Sequence, residues 1–264
     1  MKLTKQEIKL HKQACEILKQ ETLTIDDKLF VVENWNEGAE YINSATGAFF
    51  TPYNLARHVQ LTTYDGNRVI DLCAGIGTLT LALIASCHYD ASVILPEIVC
   101  IEINPDYIKV GKKICPEATW IQGSIFDKKL IESLGQFDVA MSNPPFGNVV
   151  TESVKGWLKY TDSNFELKAI EVASLISKSA SFILPTESCT FTHSGNRVYK
   201  ENSQIGNKVK KFMKQTGIEM QPNLGIDCNA FIDQWKGVKP HVEIACFEFD
   251  KNDRPGYQQE ISFE

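Results

Sequence analysis

Apolar residues fall along this chain in two patterns. Short, nearly unbroken apolar runs alternate with longer stretches in which apolar positions recur every three or four residues. The first pattern predicts strands buried on both faces, the second helices packed against them. Val69–Leu72, Ile98–Ile101, Thr119–Ile121, Asp138–Ser142 and Ala180–Leu184 read as strands. Leu79–Ala85, Pro105–Lys113, Phe165–Lys178 and Asn207–Gln215 read as helices, with Pro105 in a first turn and Gly217 ending the last. Glu219–Gln221 and Val242–Phe249 read as a closing antiparallel pair. Upstream, Leu3–Gln20 predicts an amphipathic helix, with Leu3, Ile8, Leu10, Ala14, Ile17 and Leu18 partly on one side. Thr24 is placed to cap a second helix that runs to about Asn36 and is followed by Gly38. Both helices are expected to pack on the core that follows, with contact to a partner as the alternative. Strand–helix alternation predicts an α/β fold, a mostly parallel sheet with helices on both faces and ligands at the carboxyl ends of its strands.

Two loops at such ends carry chemistry. After the first strand comes Asp71-Leu72-Cys73-Ala74-Gly75-Ile76-Gly77-Thr78-Leu79-Thr80, a glycine turn leading into a helix. Its glycines let backbone approach a ligand closely, and the helix start presents unpaired amides. Thr80 fills the third glycine position of a dinucleotide fingerprint, and no Gly-Lys-Ser/Thr follows, so neither that motif nor a phosphate loop is present. The second strand ends in Glu102, with Ile103 after it, where an acid is suited to hold a ribose diol. The strand Phe137–Ser142 ends in Asn143-Pro144-Pro145-Phe146. Prolines cannot continue a central ladder, and they fix where the backbone carbonyls point. The Asn143 side-chain oxygen and the Pro144 carbonyl are placed to accept from one amino group, and Phe146 to stack on a planar ring. Taken alone, the tetrad reads equally well as a strand terminator with Phe146 in the core.

Together these segments resemble the Rossmann-like S-adenosylmethionine-dependent methyltransferases. The Asn-Pro-Pro-Phe tetrad is similar to that of the amino-methylating branch, and most of all to the N6-adenine DNA methyltransferases. Phe49-Phe50-Thr51-Pro52 resembles the Phe-x-Thr-Pro segment that precedes the glycine loop in that branch. The resemblance spans roughly 45–249. It implies a seven-stranded methyltransferase sheet in residues 45–264, preceded by a helical extension in residues 1–44. It implies S-adenosyl-L-methionine as cofactor, held by Phe50, Thr51, Pro52, Asp71, Ala74, Gly75, Gly77, Glu102, Ile103, Ser124, Ile125 and Asn143. Asn143, Pro144, Pro145 and Phe146 would be catalytic, and no metal is implied. In the family an aspartate usually ends the third strand on the adenine side of the cofactor; here Ser124 stands there. Asp127 either replaces that aspartate or caps the next helix. Ile125 and Phe126 are candidates to sandwich the adenine ring, with one of them in the core.

Composition narrows the setting. The chain has 264 residues, room for one large domain or one with appendages but not for a separate recognition domain beside this core. No run of about 18 apolar residues marks a membrane helix, and the polar start is unlike a signal peptide. The eight cysteines form no C-x-x-C pair, and several sit inside apolar strands, which suits a reducing cytoplasm. A net charge of −6 does not favour a polyanion, although six basic residues fall between Thr186 and Lys214 against two acids. The polar segments Gly147–Ser163 and Thr186–Gly206 are expected to be mobile lids or substrate loops. The resemblance puts adenine in DNA first, with a separate recognition subunit as a candidate partner. Adenine in RNA, a protein glutamine amide, and a non-catalytic cofactor-binding subunit are the alternatives.

Overall fold

The computed structural model describes residues 3–36, 49–62, 66–89, 94–148, 154, 156–203, 205–222 and 225–249. In chain order they form α1 (Lys5–Ile17), α2 (Ile25–Asn34), α3 (Tyr53–Val59), β1 (Arg68–Leu72), α4 (Thr78–Tyr89), β2 (Glu97–Glu102), α5 (Pro105–Ile114), β3 (Thr119–Gln122), α6 (Lys128–Ser133) and β4 (Phe137–Ser142). Then come α7 (Phe165–Ile176), β5 (Ser177–Pro185), β6 (Phe191–Thr192), β7 (Lys200–Glu201), α8 (Asn207–Thr216), β8 (Gln221–Pro222) and β9 (Val242–Glu248). One seven-stranded sheet runs β3-β2-β1-β4-β5-β9-β8, and β6 pairs with β7 separately. Strands β3 to β5 of that order are parallel, and β9 runs antiparallel to both of its neighbours, β5 and β8. Strand order reverses between β1 and β4, so the loops leaving those two strands open a crevice at the carboxyl edge.

Alternate side chains on each strand feed two cores. Val69, Ile98, Cys100, Met141, Ile183 and Ile244 face the layer of α1 to α5. Ile70, Leu72, Val99, Ile101, Ala140, Phe182 and Phe247 face the layer of α6 to α8. The first two helices pack on the sheet's glycine-loop side. Trp35 meets the rings of Phe50 and Tyr107 at 5.7 and 5.9 Å, and Lys236 donates to the Val32 and Trp35 carbonyls. Gly38 and the 44/45 boundary expected from sequence lie outside the described residues.

Local signals act as expected at several ends. Thr24 closes a capping box with Asp27, Asn104 caps α5 ahead of Pro105, and Gly217 ends α8 at φ 76°. Four expectations are corrected. The first helix covers Lys5–Ile17 rather than Leu3–Gln20, because the Thr4–Glu7 capping box starts it late. The helix expected over Phe165–Lys178 stops at Ile176, where the chain turns straight into β5 with no loop between them. The strand expected at Glu219–Gln221 is Gln221–Pro222, an edge position where proline is tolerated. The segment after β5 is no open loop: β6 and β7 form a hairpin within it.

Trp120 in β3 is wedged between two glycines. A Cβ on Gly111 would lie 2.1 Å from its ring, and one on Gly77 3.0 Å from it, while its indole N–H donates to the Cys115 carbonyl at 3.1 Å. Alanine favours a helix interior over glycine by about 1 kcal/mol. Contact this close forces the ring or the helix to shift, so overpacking outweighs that gain. Gly111→Ala is expected to lower stability by about 2 kcal/mol and Tm by roughly 4–8 °C in thermal melts. An unchanged or higher Tm contradicts the wedge.

Candidate active site

A cleft opens at the carboxyl edge where β1 and β4 part, the place where open parallel sheets bind their ligands. The structure brings to it Phe50, Thr51, Asp71, Ala74, Gly75, Glu102, Ile103, Ser124, Ile125, Asn143, Pro144, Pro145 and Phe146. Pro52 and Gly77 do not line it. Pro52 caps α3, and Gly77 lies under Trp120. The turn after β1 uses positive φ at Cys73 (60°), Gly75 (57°) and Gly77 (87°). That conformation is rare for a residue with a Cβ, and a strained cysteine here bends the chain into the cleft.

The tetrad is aimed by the segment before α3. Asn143 Nδ2 donates to the Phe49 carbonyl at 3.0 Å and to Thr51 Oγ1 at 2.9 Å. A carbonyl only accepts, so the nitrogen must lie on that side and the oxygen on the other. Asn143 Oδ1 is buried and has no partner. The Gly147 N–H then donates to Glu166 Oε2 at 3.2 Å, and its carbonyl accepts from the Phe165 N–H at 3.0 Å. Glu166, fully buried, also accepts from Ser188 Oγ at 2.8 Å and meets Lys208 Nζ at 3.4 Å. This carboxylate ties the tetrad's exit to the segment after β5 and to α8.

Two acids serve the glycine-loop side. Glu102 Oε2 accepts from the Gly75 N–H, and Oε1 from the Ile103 and Asn104 N–H groups, each at 2.8 Å. Burial holds its carboxyl above the usual range, opposed by those three donors. Three of roughly four lone-pair directions are used, which leaves an acceptor for a hydroxyl. Asp71 is fully buried; Thr80 Oγ1 donates to its Oδ2 at 2.7 Å, and Oδ1 is unpartnered. Burial raises its pKa to about 7, with Glu102 adding to the shift and Thr80 opposing it.

Third-strand alternatives are resolved. Asp127 accepts from the Lys129 and Leu130 N–H groups as the cap of α6, so it does not replace an adenine-reading carboxylate. Ser124 Oγ accepts from the Phe126 N–H at 3.1 Å, which leaves its O–H free to donate. Ile125 lines the cleft, whereas Phe126 is core, edge-on to Phe165 at 4.8 Å. Tyr107, Phe165, Thr78 and Cys73 also line the cleft, although sequence reasoning did not single them out. A signal existed for Tyr107, an aromatic in the first turn of the helix after Glu102. None marked Phe165, which reads as an ordinary helix start.

No protein-family profile matches the sequence, and no curated protein sequence matches it either. Solved structures do match. A protein assigned to the class I S-adenosylmethionine-dependent methyltransferases of Listeria monocytogenes superposes with a TM-score of 0.59 at 12% identity, over 91% of this chain and 73% of that one. The fold is that of the class I S-adenosylmethionine-dependent methyltransferases. A modification subunit assigned to a type I restriction enzyme of Vibrio vulnificus gives 0.60 at 10% identity, over 87% of this chain and 51% of that one. The M protein of the type I restriction enzyme EcoKI gives 0.53 at 12% identity, over 99% of this chain and 62% of that one. This chain thus spans half to two thirds of the restriction-enzyme proteins it matches. Among the described residues, no helix is long and apolar enough to cross a membrane.

The cleft's donors and acceptors fit the cofactor of that fold. Ile103 and Ile125 offer apolar walls for a base, Glu102 an acceptor for ribose, and Asp71 Oδ1 an unpartnered acceptor beside the glycine turn.

Proposed function

We propose that this chain is an S-adenosylmethionine-dependent methyltransferase that acts on the exocyclic amino group of adenine in nucleic acid, DNA ahead of RNA. The observation that carries the reading is the Asn143 carboxamide, held by its nitrogen and left with a buried, unpartnered oxygen in the cleft. A buried acceptor without a donor is costly, so it marks a place where a donor arrives. An amino group presents two hydrogens, and the Asn143 Oδ1 and the Pro144 carbonyl offer two acceptors.

The adenine amine is a weak nucleophile because its lone pair is delocalised into the ring. Hydrogen bonds to Asn143 and Pro144 favour a tetrahedral nitrogen with a localised lone pair. The same oxygens stabilise the positive charge that grows on that nitrogen. Phe146 and Phe165, both in the cleft wall, flank a planar ring. When bound, S-adenosylmethionine supplies an electrophilic methyl group. Glu102 would hold its ribose, and Asp71 would take its ammonium group. In a duplex the target base must leave the stack, at a cost of a few kcal/mol.

Asp71 makes cofactor binding sensitive to pH. With a pKa of about 7, its carboxyl is mostly protonated below neutrality in the free protein. A bound ammonium favours the ionised form, so binding releases a proton and affinity rises with pH. Calorimetry with S-adenosylhomocysteine is expected to show affinity rising about five- to tenfold from pH 6 to 7.5, below the range where the ligand's own amine deprotonates. Asp71→Asn is expected to bind more weakly with a flat profile. A flat profile in the unaltered protein removes this role.

The likeness to modification subunits of restriction enzymes supports DNA as the polymer and a separate recognition subunit as partner. Tritium transfer from labelled cofactor, with DNA, RNA and protein as separate acceptors, tests the reading. Label in nucleic acid alone supports it, with DNA labelled faster than RNA. Label in protein alone contradicts it.

A further inference from the structure

The basic residues of this acidic chain are not spread evenly. Arg197, Lys200, Lys208, Lys210, Lys211 and Lys214 follow one another within 18 positions, opposed there by Glu201 alone. Lys208 and Lys211 are occupied by Glu166 and Asp162. Arg197 and Lys200, whose Nζ donates to Asn196 Oδ1 at 2.9 Å, flank Val198 and Tyr199 at the end of the β6–β7 hairpin, where all four residues are exposed. Val198 is 63% and Tyr199 41% exposed. Val198 and the outer part of the Tyr199 ring thus present apolar surface to solvent between two cations.

The segment that carries the hairpin leaves the sheet beside the substrate half of the crevice, where Ser188 Oγ donates to Glu166, the carboxylate that also accepts from the Gly147 N–H. Ser142, which precedes Asn143, is level with Phe182 on β5, and β5 continues three residues further, to Pro185. At about 3.3 Å per residue, the chain leaves β5 roughly 10 Å above the level of the tetrad. β4 separates β5 from the glycine-loop strand, and the hairpin is bonded to Glu243 of β9 on the other side of β5.

The first half of the hairpin's turn is tied to the body of the protein. The fully buried Glu243 accepts from the His193 and Ser194 N–H groups at 3.0 and 2.9 Å and from Ser194 Oγ at 3.0 Å. Asp227 accepts from the Gly195 N–H at 2.9 Å, and Asn202 bonds Thr192 and Cys189 across the strands. The Tyr199 ring rests 5.7 Å from that of the fully buried Phe191. The turn is therefore anchored through residues 193–195, and residues 197–200 form its exposed side.

We propose that the β6–β7 hairpin grips the nucleic-acid strand beside the target base, a role that rests on the function proposed above. Arg197 and Lys200 neutralise phosphates, and Val198 and Tyr199 pack against the neighbouring sugar and base. Cations on phosphates with an aromatic on a base face are how single strands are held.

Fluorescence anisotropy of labelled single-stranded and duplex 20-mers, at several salt concentrations, tests this on the full chain. Arg197→Ala with Lys200→Ala is expected to weaken binding about tenfold and to reduce the salt slope by about 2. Tyr199→Ala is expected to raise the KM for oligonucleotide about tenfold, whereas Tyr199→Phe stays within about twofold because it keeps the ring. Calorimetric affinity for S-adenosylhomocysteine should not change in any of them. If the unaltered protein methylates oligonucleotides and the variants match it in affinity, salt slope and KM, the grip is refuted and the proposed function stands. If the unaltered protein neither binds nor methylates any oligonucleotide, both fall.

Discussion

Replacing Asn143 with alanine is expected to lower turnover about 10²–10³-fold, the range seen when one preorganised hydrogen-bonding group is removed from a transition state. Affinity for S-adenosylhomocysteine, read by calorimetry, should stay within about twofold, because the glycine loop, Glu102 and Asp71 are untouched. Asn143→Asp is not a mild change. Its oxygens would face the Phe49 carbonyl, which only accepts, so the side chain would lose one of its ties. Thr51→Val removes the other tie and leaves the Asn143 carboxamide in place. It should cost about tenfold in turnover through lost orientation. Turnover unchanged in Asn143→Ala, or lost only in step with cofactor affinity, removes this residue from the chemistry.

The second large effect is expected at Glu166. Its carboxylate satisfies the Gly147 N–H, the Ser188 hydroxyl and part of Lys208 in the interior. Glu166→Ala strands the first two, at about 1–3 kcal/mol each. Lys208 keeps Glu187 at 3.6 Å and some access to solvent, so it adds little. The sum is about 3 kcal/mol, or roughly 6–12 °C in Tm for a chain of this size. Turnover should fall as well, since Gly147 directly follows Phe146. Glu166→Gln keeps the shape but turns an amide N–H2 toward one of the donors, so it should be intermediate in thermal melts. A Glu166→Ala protein with normal Tm and turnover removes the clamp.

How much of this was legible in sequence depended on distance along the chain. Parallel strands buried on both faces leave unbroken apolar runs, so Val69–Leu72 and Asp138–Ser142 were readable within a residue or two. The α7–β5 junction was not, because helix passes into strand at Ser177 with no turn residue to mark it. α3, with seven residues, and α6, with six, were too short for periodicity to show. Two-residue strands such as β6 and β7 leave no pattern at all.

The candidate site divides in the same way. Asn143-Pro144-Pro145-Phe146 and the glycine turn are contiguous and announce themselves. The bonds that aim Asn143 span 94 and 92 positions, and no local rule joins them. Glu166 reads as one more polar residue on a helix, and only tertiary packing shows that it is fully buried. Ser124 and Asp127 were separated by a cap that involves the next two residues but one, a detail of geometry rather than of composition.

The most direct measurement is mass spectrometry of nucleosides from DNA and RNA incubated with the purified chain and S-adenosylmethionine, run beside the Asn143→Ala protein. The account predicts N6-methylated adenine with the unaltered protein, more in DNA than in RNA, and a background level with the variant. Methyl groups found on another base position, or equal N6-methylation by the two proteins, would contradict it.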